Sequence, residues 1–89
     1  MLETPVTIVN QLGLHARAAA KFVSLASQFQ SEVLLAKDGR QVNGKSIMGV
    51  MMLAAAKGSA LTLSADGADE REATEAIVQL IADRFGEAS

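Results

Sequence analysis

The chain has 89 residues, of which 49% are hydrophobic and 20% charged, a composition typical of one compact globular domain. It contains no cysteine, which excludes disulfide bonds, thiolate nucleophiles and cysteine-ligated zinc. A net charge of −2 and only three aromatic residues argue against nucleic-acid binding, which usually requires a basic face or stacking rings. We therefore expect a single domain over residues 1–89 whose partners are proteins.

The N-terminal residues lack a positively charged start, and no apolar run approaches the roughly 18 residues that span a bilayer. A chain without cysteine also suits a reducing compartment. The expectation is a cytoplasmic protein that is neither processed nor embedded in a membrane.

The first half of the chain begins with residues 6–10 (VTIVN), whose β-branched side chains predict a strand. After a short break, Ala19, Phe22, Ala26 and Phe29 recur at three- and four-residue steps, which predicts an amphipathic helix over roughly residues 16–28. Its first turn lies next to the only histidine, at position 15.

A hairpin is predicted next, because residues 32–37 and 40–43 flank the dipeptide Asp38–Gly39, which favours a two-residue turn. Ser46 is a good N-cap for a short helix over residues 47–53, although Gly49 weakens that helix by about 1 kcal/mol relative to alanine.

The last elements are an alternating strand at residues 61–65 and a C-terminal helix. Asp69 and Glu72 have the spacing of a capping box at the start of that helix, and Gly86 is predicted to end it. Its apolar stripe is formed by Ala73, Ile77, Leu80 and Ile81. The order is therefore βαββαβα, which predicts an α+β fold with a four-stranded antiparallel sheet and three helices on one face.

His15 directly precedes a helix whose first turn carries Arg17. Unpaired N–H groups at a helix N-terminus, such as those of Ala16 and Arg17, together with a guanidinium group form an anion site. These residue types suit phosphoryl acceptance, in which a neutral imidazole nitrogen attacks and the positive helix end holds the phosphate. Position alone is equally compatible with a helix cap or an ordinary surface histidine.

Residues 13–23 (GLHARAAAKFV) resemble the active-site segment of the HPr family, the histidine-containing phosphocarriers of the bacterial phosphoenolpyruvate-dependent phosphotransferase system. Residues 45–51 (KSIMGVM) are similar to that family's second signature, in which a serine is a regulatory phosphorylation site in some members. Residues 55–58 and 64–67 also match its usual pattern, so the resemblance covers nearly the whole chain. One departure is Ala18, which stands where the family commonly has proline, and leaves the local geometry open.

The resemblance implies an open-faced β-sandwich and a carrier that is not itself an enzyme. His15 would accept a phosphoryl group from phosphorylated enzyme I and pass it to enzyme IIA proteins, while Arg17 would steady the group in transit. Ser46 would be a site of regulatory phosphorylation, with a serine kinase and a phosphatase as further partners. No metal or organic cofactor is implied, and a monomer is expected.

The short helix over residues 47–53 is too apolar to be buried entirely in so small a chain. We expect Ile47, Met48 and Met51 to face partner proteins, because methionine adapts to several surfaces. Complete burial of the helix is the alternative.

Two further functions are compatible with parts of the sequence. A regulatory interaction module of the nitrogen-related branch of the phosphotransferase system would use the same His15 and Ser46 without transferring phosphate to sugar-specific acceptors. Residues 39–46 (GRQVNGKS) match the phosphate-loop pattern of nucleotide hydrolases letter for letter. We interpret this match as a coincidence, because a phosphate loop joins a parallel strand to a long helix, whereas a hairpin and a short helix are predicted here.

Overall fold

Four strands and three helices form the structure, a computed structural model that describes residues 1–89. The elements are β1 (Leu2–Thr7), α1 (Ala16–Ala26), β2 (Glu32–Lys37), β3 (Arg40–Asn43), α2 (Ile47–Met52), β4 (Ala60–Asp66) and α3 (Glu70–Ala82), followed by a short turn at Arg84–Gly86. The sheet order is β1-β4-β2-β3, and each neighbouring pair is antiparallel. The predicted α+β open-faced sandwich and its βαββαβα order are confirmed.

The first strand lies earlier in the chain than predicted, at Leu2–Thr7 rather than at residues 6–10. β1 is an edge strand, so no strand pairs with its outer side. Pro5 lacks a backbone N–H group, but none is needed on that side, and the proline therefore does not interrupt the strand. Ile8 lies in the loop after β1, where its N–H donates to the Ser59 carbonyl at 3.0 Å. Asn10, predicted to end the strand, is instead a fully buried loop residue.

The helices agree with the predictions except at their C-terminal ends. α1 ends at Ala26 rather than at residue 28, and α2 ends at Met52 rather than at Leu53, which is its C-cap. Ser46 is the N-cap of α2 as predicted, since its hydroxyl accepts the Gly49 N–H at 3.0 Å. The Asp38–Gly39 turn is also as predicted, with positive φ angles at both residues.

The hydrophobic core lies between one face of the sheet and helices α1 and α3. Phe22 from α1, Leu63 from β4 and Ile77 from α3 are each fully buried there. Phe85, which follows α3, is also fully buried in this core. The C-terminal segment is therefore packed into the structure and runs back toward the start of α1.

The loop before α1 lies directly on the loop after α2. The N–H group of Leu14 donates to the carbonyl of Ala55 at 2.8 Å. Gly13 has a φ of +67°, and a Cβ atom there would lie 2.5 Å from the same carbonyl oxygen. Only glycine satisfies both the backbone angle and this close approach. The contact fixes the position at which α1 begins.

The capping box predicted at the start of α3 is wrong. Asp69 is the N-cap, but its carboxylate makes no bond to the helix and Glu72 is exposed. The carboxylate instead accepts the N–H groups of Gln30 and Ser31, each at 2.9 Å, and the hydroxyl of Ser31. Asp69 therefore joins the start of α3 to the segment before β2, because three donors there outcompete a single helix amide.

The Ser31 hydroxyl and the Gln30 N–H hold the pKa of the Asp69 carboxyl below its ordinary value. A carboxyl whose pKa is lower in the folded than in the unfolded chain stabilises the fold above its unfolded pKa, and this stabilisation is lost as the pH falls through the folded pKa. We therefore expect Asp69→Asn to lower Tm by several degrees at neutral pH and to have little effect in strong acid. Thermal unfolding followed by circular dichroism at both pH values measures this.

Glu75→Gln is the matched control, because Glu75 is exposed on α3 and makes no hydrogen bond or ion pair. An Asp69→Asn variant whose Tm equals that of Glu75→Gln at neutral pH would contradict a role for Asp69 in stability.

Candidate functional site

His15 is the residue that directly precedes α1, and its backbone is extended, with φ of −71° and ψ of 177°. Its carbonyl accepts the Ala19 N–H at 2.8 Å, which begins the helical bonding. Its side chain makes no capping bond to the helix. The imidazole ring is therefore available for other contacts, and about a quarter of the side chain (28%) is exposed to solvent.

The first turn of α1 presents unpaired amide groups beside the ring. No acceptor in the chain takes the N–H groups of Ala16, Arg17 or Ala18. These groups carry the positive end of the dipole of an eleven-residue helix. Ala18, which stands where the family commonly has proline, is buried in the first turn without interrupting the helix.

Arg17 is exposed, and its guanidinium group makes no ion pair or hydrogen bond within the chain. It lines the same open cleft as His15, a depression of about 640 Å³ between the start of α1 and the C-terminal segment. The cleft therefore combines an accessible imidazole, an uncommitted cation and free backbone donors, which is the composition of an anion site.

Glu87 closes one side of this cleft, and both oxygens of its carboxylate are engaged. Oε2 contacts Nε2 of His15, and Oε1 accepts the side-chain amide of Asn10 at 3.0 Å. The Asn10 amide and then the His15 ring hold the pKa of the Glu87 carboxyl below its ordinary value. Glu87 is therefore a carboxylate at neutral pH.

The turn after α3 brings Glu87 to the histidine. Arg84, Phe85 and Gly86 have φ angles of 58°, 55° and 77°, so three successive residues are left-handed. The burial of Phe85 and a bond from Lys21 Nζ to its carbonyl, at 2.6 Å, hold this turn. The helix ends at Ala82, four residues before the glycine predicted to end it.

Asn10 and Glu87 are the site residues that sequence reasoning missed. Neither belongs to a recognisable motif, and they lie 77 positions apart in the chain. The one available signal was Phe85, since a large apolar side chain just beyond a helix suggests that the chain folds back onto the core.

The second predicted surface lies on α2. The exposed fractions of Ile47, Met48 and Met51 are 43%, 75% and 42%, whereas Val50 is fully buried on the inner side of the helix. Met52 is also exposed. We call the side chains of Ile47, Met48, Met51 and Met52 the α2 patch. Helix α2 packs against α1, so the patch and His15 belong to neighbouring elements.

The segment that matches a phosphate loop has a different geometry. Residues 39–46 run through the β2–β3 hairpin turn and strand β3 into a six-residue helix, and β3 pairs with an antiparallel neighbour. Lys45 donates its ammonium group to the Phe29 carbonyl at 2.7 Å rather than facing an open loop. The structure therefore lacks the strand–loop–helix arrangement that binds nucleotide phosphates.

No cluster of three or more histidine, aspartate or glutamate side chains is arranged to hold a metal ion. Among the helices, none combines the length and the apolar character needed to cross a membrane.

Comparisons with known proteins identify the family of the chain. Residues 2–83 match the family described as "PTS HPr component phosphorylation site". The chain is 60% identical over 87 residues to the phosphocarrier protein HPr of Cupriavidus necator, covering 98% of each chain.

Two solved structures from Thermoanaerobacter tengcongensis are also similar. HPr-C-His has a TM-score of 0.96 at 49% identity, with both chains fully covered. An HPr dimer has a TM-score of 0.79 at 50% identity, covering 98% of this chain and 100% of that one. Because that relative forms a dimer, the monomer expected for this chain stays a prediction.

A family match over nearly the whole chain, a high identity to a curated relative and the shared fold lead to one conclusion. The chain belongs to the HPr family of phosphocarrier proteins of the phosphotransferase system.

Proposed function

We propose that residues 1–89 form a single phosphocarrier domain that accepts a phosphoryl group on His15 from phosphorylated enzyme I and transfers it to enzyme IIA proteins. One observation carries this proposal: His15 stands at the open N-terminus of α1, in the same cleft as the unpaired guanidinium of Arg17. Family membership supplies the class of donor and acceptor. The cytoplasm is the location that fits these partners.

The chemistry needs few components from the carrier. A ring nitrogen of His15 attacks phosphorus, the N–P bond forms, and the bond from phosphorus to the donor breaks with its electron pair. The free amides of Ala16 and Arg17 and the Arg17 guanidinium face the negative charge of the phosphoryl group. The reverse exchange with an acceptor regenerates the ring, so the protein acts as a carrier in this scheme.

Incubation with enzyme I and labelled phosphoenolpyruvate tests the proposal. We expect an acid-labile label on the wild-type protein and none on His15→Ala. Arg17→Ala should lower the labelling rate by about tenfold or more, since a preorganised charge at the phosphoryl group is lost. Arg71→Ala is the matched control, because Arg71 is exposed on α3 away from the cleft.

An acid-stable label, a label that persists in His15→Ala, or no label would contradict the proposed function. Pairing the chain in turn with enzyme I of the sugar branch and of the nitrogen-related branch then identifies which branch it serves. Transfer of the label only within the nitrogen-related branch would support the regulatory alternative.

The α2 patch is proposed as the docking surface for enzyme I and enzyme IIA. Its four exposed apolar side chains all belong to one six-residue helix, and methionine adapts to several partners. Met48 is the most exposed of them.

We expect Met48→Glu to raise the KM for this protein in the enzyme I reaction about tenfold, because a charge replaces the most exposed apolar side chain of the α2 patch. Thr62→Glu places the same charge on the exposed face of the sheet and should leave the KM unchanged. Equal KM values for the two variants would contradict docking through the α2 patch.

Ser46 is proposed as a regulatory phosphorylation site that weakens docking. A phosphate at the N-cap of α2 is compatible with the helix end, but it adds negative charge directly before Ile47 and Met48. Phosphorylation would therefore alter the surface without unfolding the helix.

Ser46→Asp should slow phosphoryl transfer from enzyme I while its circular dichroism spectrum matches that of the wild type. Ser46→Asn keeps a capping side chain without the charge and should transfer at the wild-type rate. Unchanged kinetics for Ser46→Asp, or equal slowing in both variants, would contradict an electrostatic switch.

A further inference from the structure

The contact between Glu87 and His15 restricts where the imidazole carries its proton. A carboxylate is only an acceptor, so the Nε2 atom that contacts Oε2 must be the donor. In a neutral ring the proton then lies on Nε2 and the lone pair on Nδ1. Nδ1 makes no hydrogen bond within the chain, so it is the free nitrogen of the ring.

Asn10 fixes the other end of the same carboxylate. Its amide donates to Glu87 Oε1 at 3.0 Å and to the Gly13 carbonyl at 2.9 Å, and both acceptors determine the orientation of the amide. The residue is fully buried, yet its Oδ1 atom has no hydrogen-bond partner. A buried polar group with an unsatisfied oxygen lowers the stability of the fold. We therefore infer that Asn10 contributes through the two bonds of its amide, to Glu87 and to Gly13.

The left-handed turn provides a third, independent observation. Two residues with side chains, Arg84 and Phe85, adopt positive φ angles that L-residues disfavour. The conformation persists because Phe85 is buried and Lys21 binds its carbonyl. The consequence of this turn is that Glu87 reaches the His15 ring across the cleft.

From these three observations we propose that Glu87 is a positioning residue for His15, held in place by Asn10 and by the turn at Arg84–Gly86. Its carboxylate keeps the ring proton on Nε2 and thereby presents Nδ1 to the phosphoryl donor. This inference rests on the proposed function of His15 as phosphoryl acceptor.

The group transfer balances with this proton arrangement. The Nδ1 lone pair forms the N–P bond, and the bond from phosphorus to the donor breaks with its electrons remaining on the donor. The proton stays on Nε2, so the phosphorylated ring bears a positive charge that faces the Glu87 carboxylate. When the phosphoryl group is transferred to an acceptor, the electrons of the N–P bond return to Nδ1 and the ring is again neutral.

The same carboxylate disfavours the other ring nitrogen. A phosphoryl group on Nε2 would replace the bond to Glu87 and bring two negative groups together. Glu87 faces the ring of His15, which directly precedes α1, and the ammonium group of Lys21 on α1, and Arg17 lines the same cleft. Lys21 and Arg17 are cations, which is consistent with a carboxylate at this position.

Ring-nitrogen NMR of isotopically labelled protein at neutral pH tests the proposal without any phosphoryl donor. We expect the wild-type ring to be almost entirely the Nε2–H tautomer and Glu87→Ala to show a mixture of the two tautomers. Labelling by enzyme I should be about tenfold slower in Glu87→Ala, and Glu87→Gln, which keeps an acceptor oxygen, should be intermediate. Glu75→Gln is the matched control and should equal the wild type in both measurements.

The backbone amide signals of Phe85 and Gly86 in each Glu87 variant show whether the turn persists, and Glu87→Gln is the variant that keeps the shape of the side chain. A wild-type ring with its proton on Nδ1, a tautomer ratio unchanged in Glu87→Ala, or faster labelling of that variant would overturn the proposal. Faster labelling would mean that Glu87 shields the ring rather than positioning it. Absence of labelling in the wild type would instead overturn the proposed function, so the two failures are distinguishable.

Discussion

The close approach of two loops is the constraint on which the site depends. The Leu14 N–H binds the Ala55 carbonyl at 2.8 Å, and the neighbouring Gly13 leaves no space for a Cβ atom. This contact fixes the first residue of α1, and with it the direction of the helix dipole and the position of His15. It also joins the loop before α1 to the chain that leaves α2, so the histidine and the α2 patch are held on neighbouring elements.

Local patterns predicted most of the fold because the helices and the hairpin are specified by nearby residues. Ser46 caps α2 and Asp38–Gly39 turns the hairpin through interactions within a few positions. The predictions failed where residues distant in the sequence compete with the local interactions. Asp69 binds the segment before β2 instead of its own helix, and β1 begins earlier because an edge strand accepts Pro5.

The candidate site shows the same division. His15, Arg17 and the exposed side of α2 could be identified from the sequence, since motif resemblance and helix periodicity mark them. Asn10 and Glu87 could not, because their meeting depends on the packing of Phe85 and on a left-handed turn that no local pattern specifies. The ring of His15 is thus placed by a helix start and oriented by the opposite end of the chain.

The most direct test of phosphoryl transfer through His15 is a phosphorus-coupled nitrogen NMR spectrum of its ring. The spectrum would be recorded after reaction with phosphoenolpyruvate and a catalytic amount of enzyme I. We expect a phosphoryl group bonded to Nδ1 of His15. A phosphoryl group on Nε2 or on Ser46, or none when enzyme I is itself phosphorylated, would contradict this account of the site.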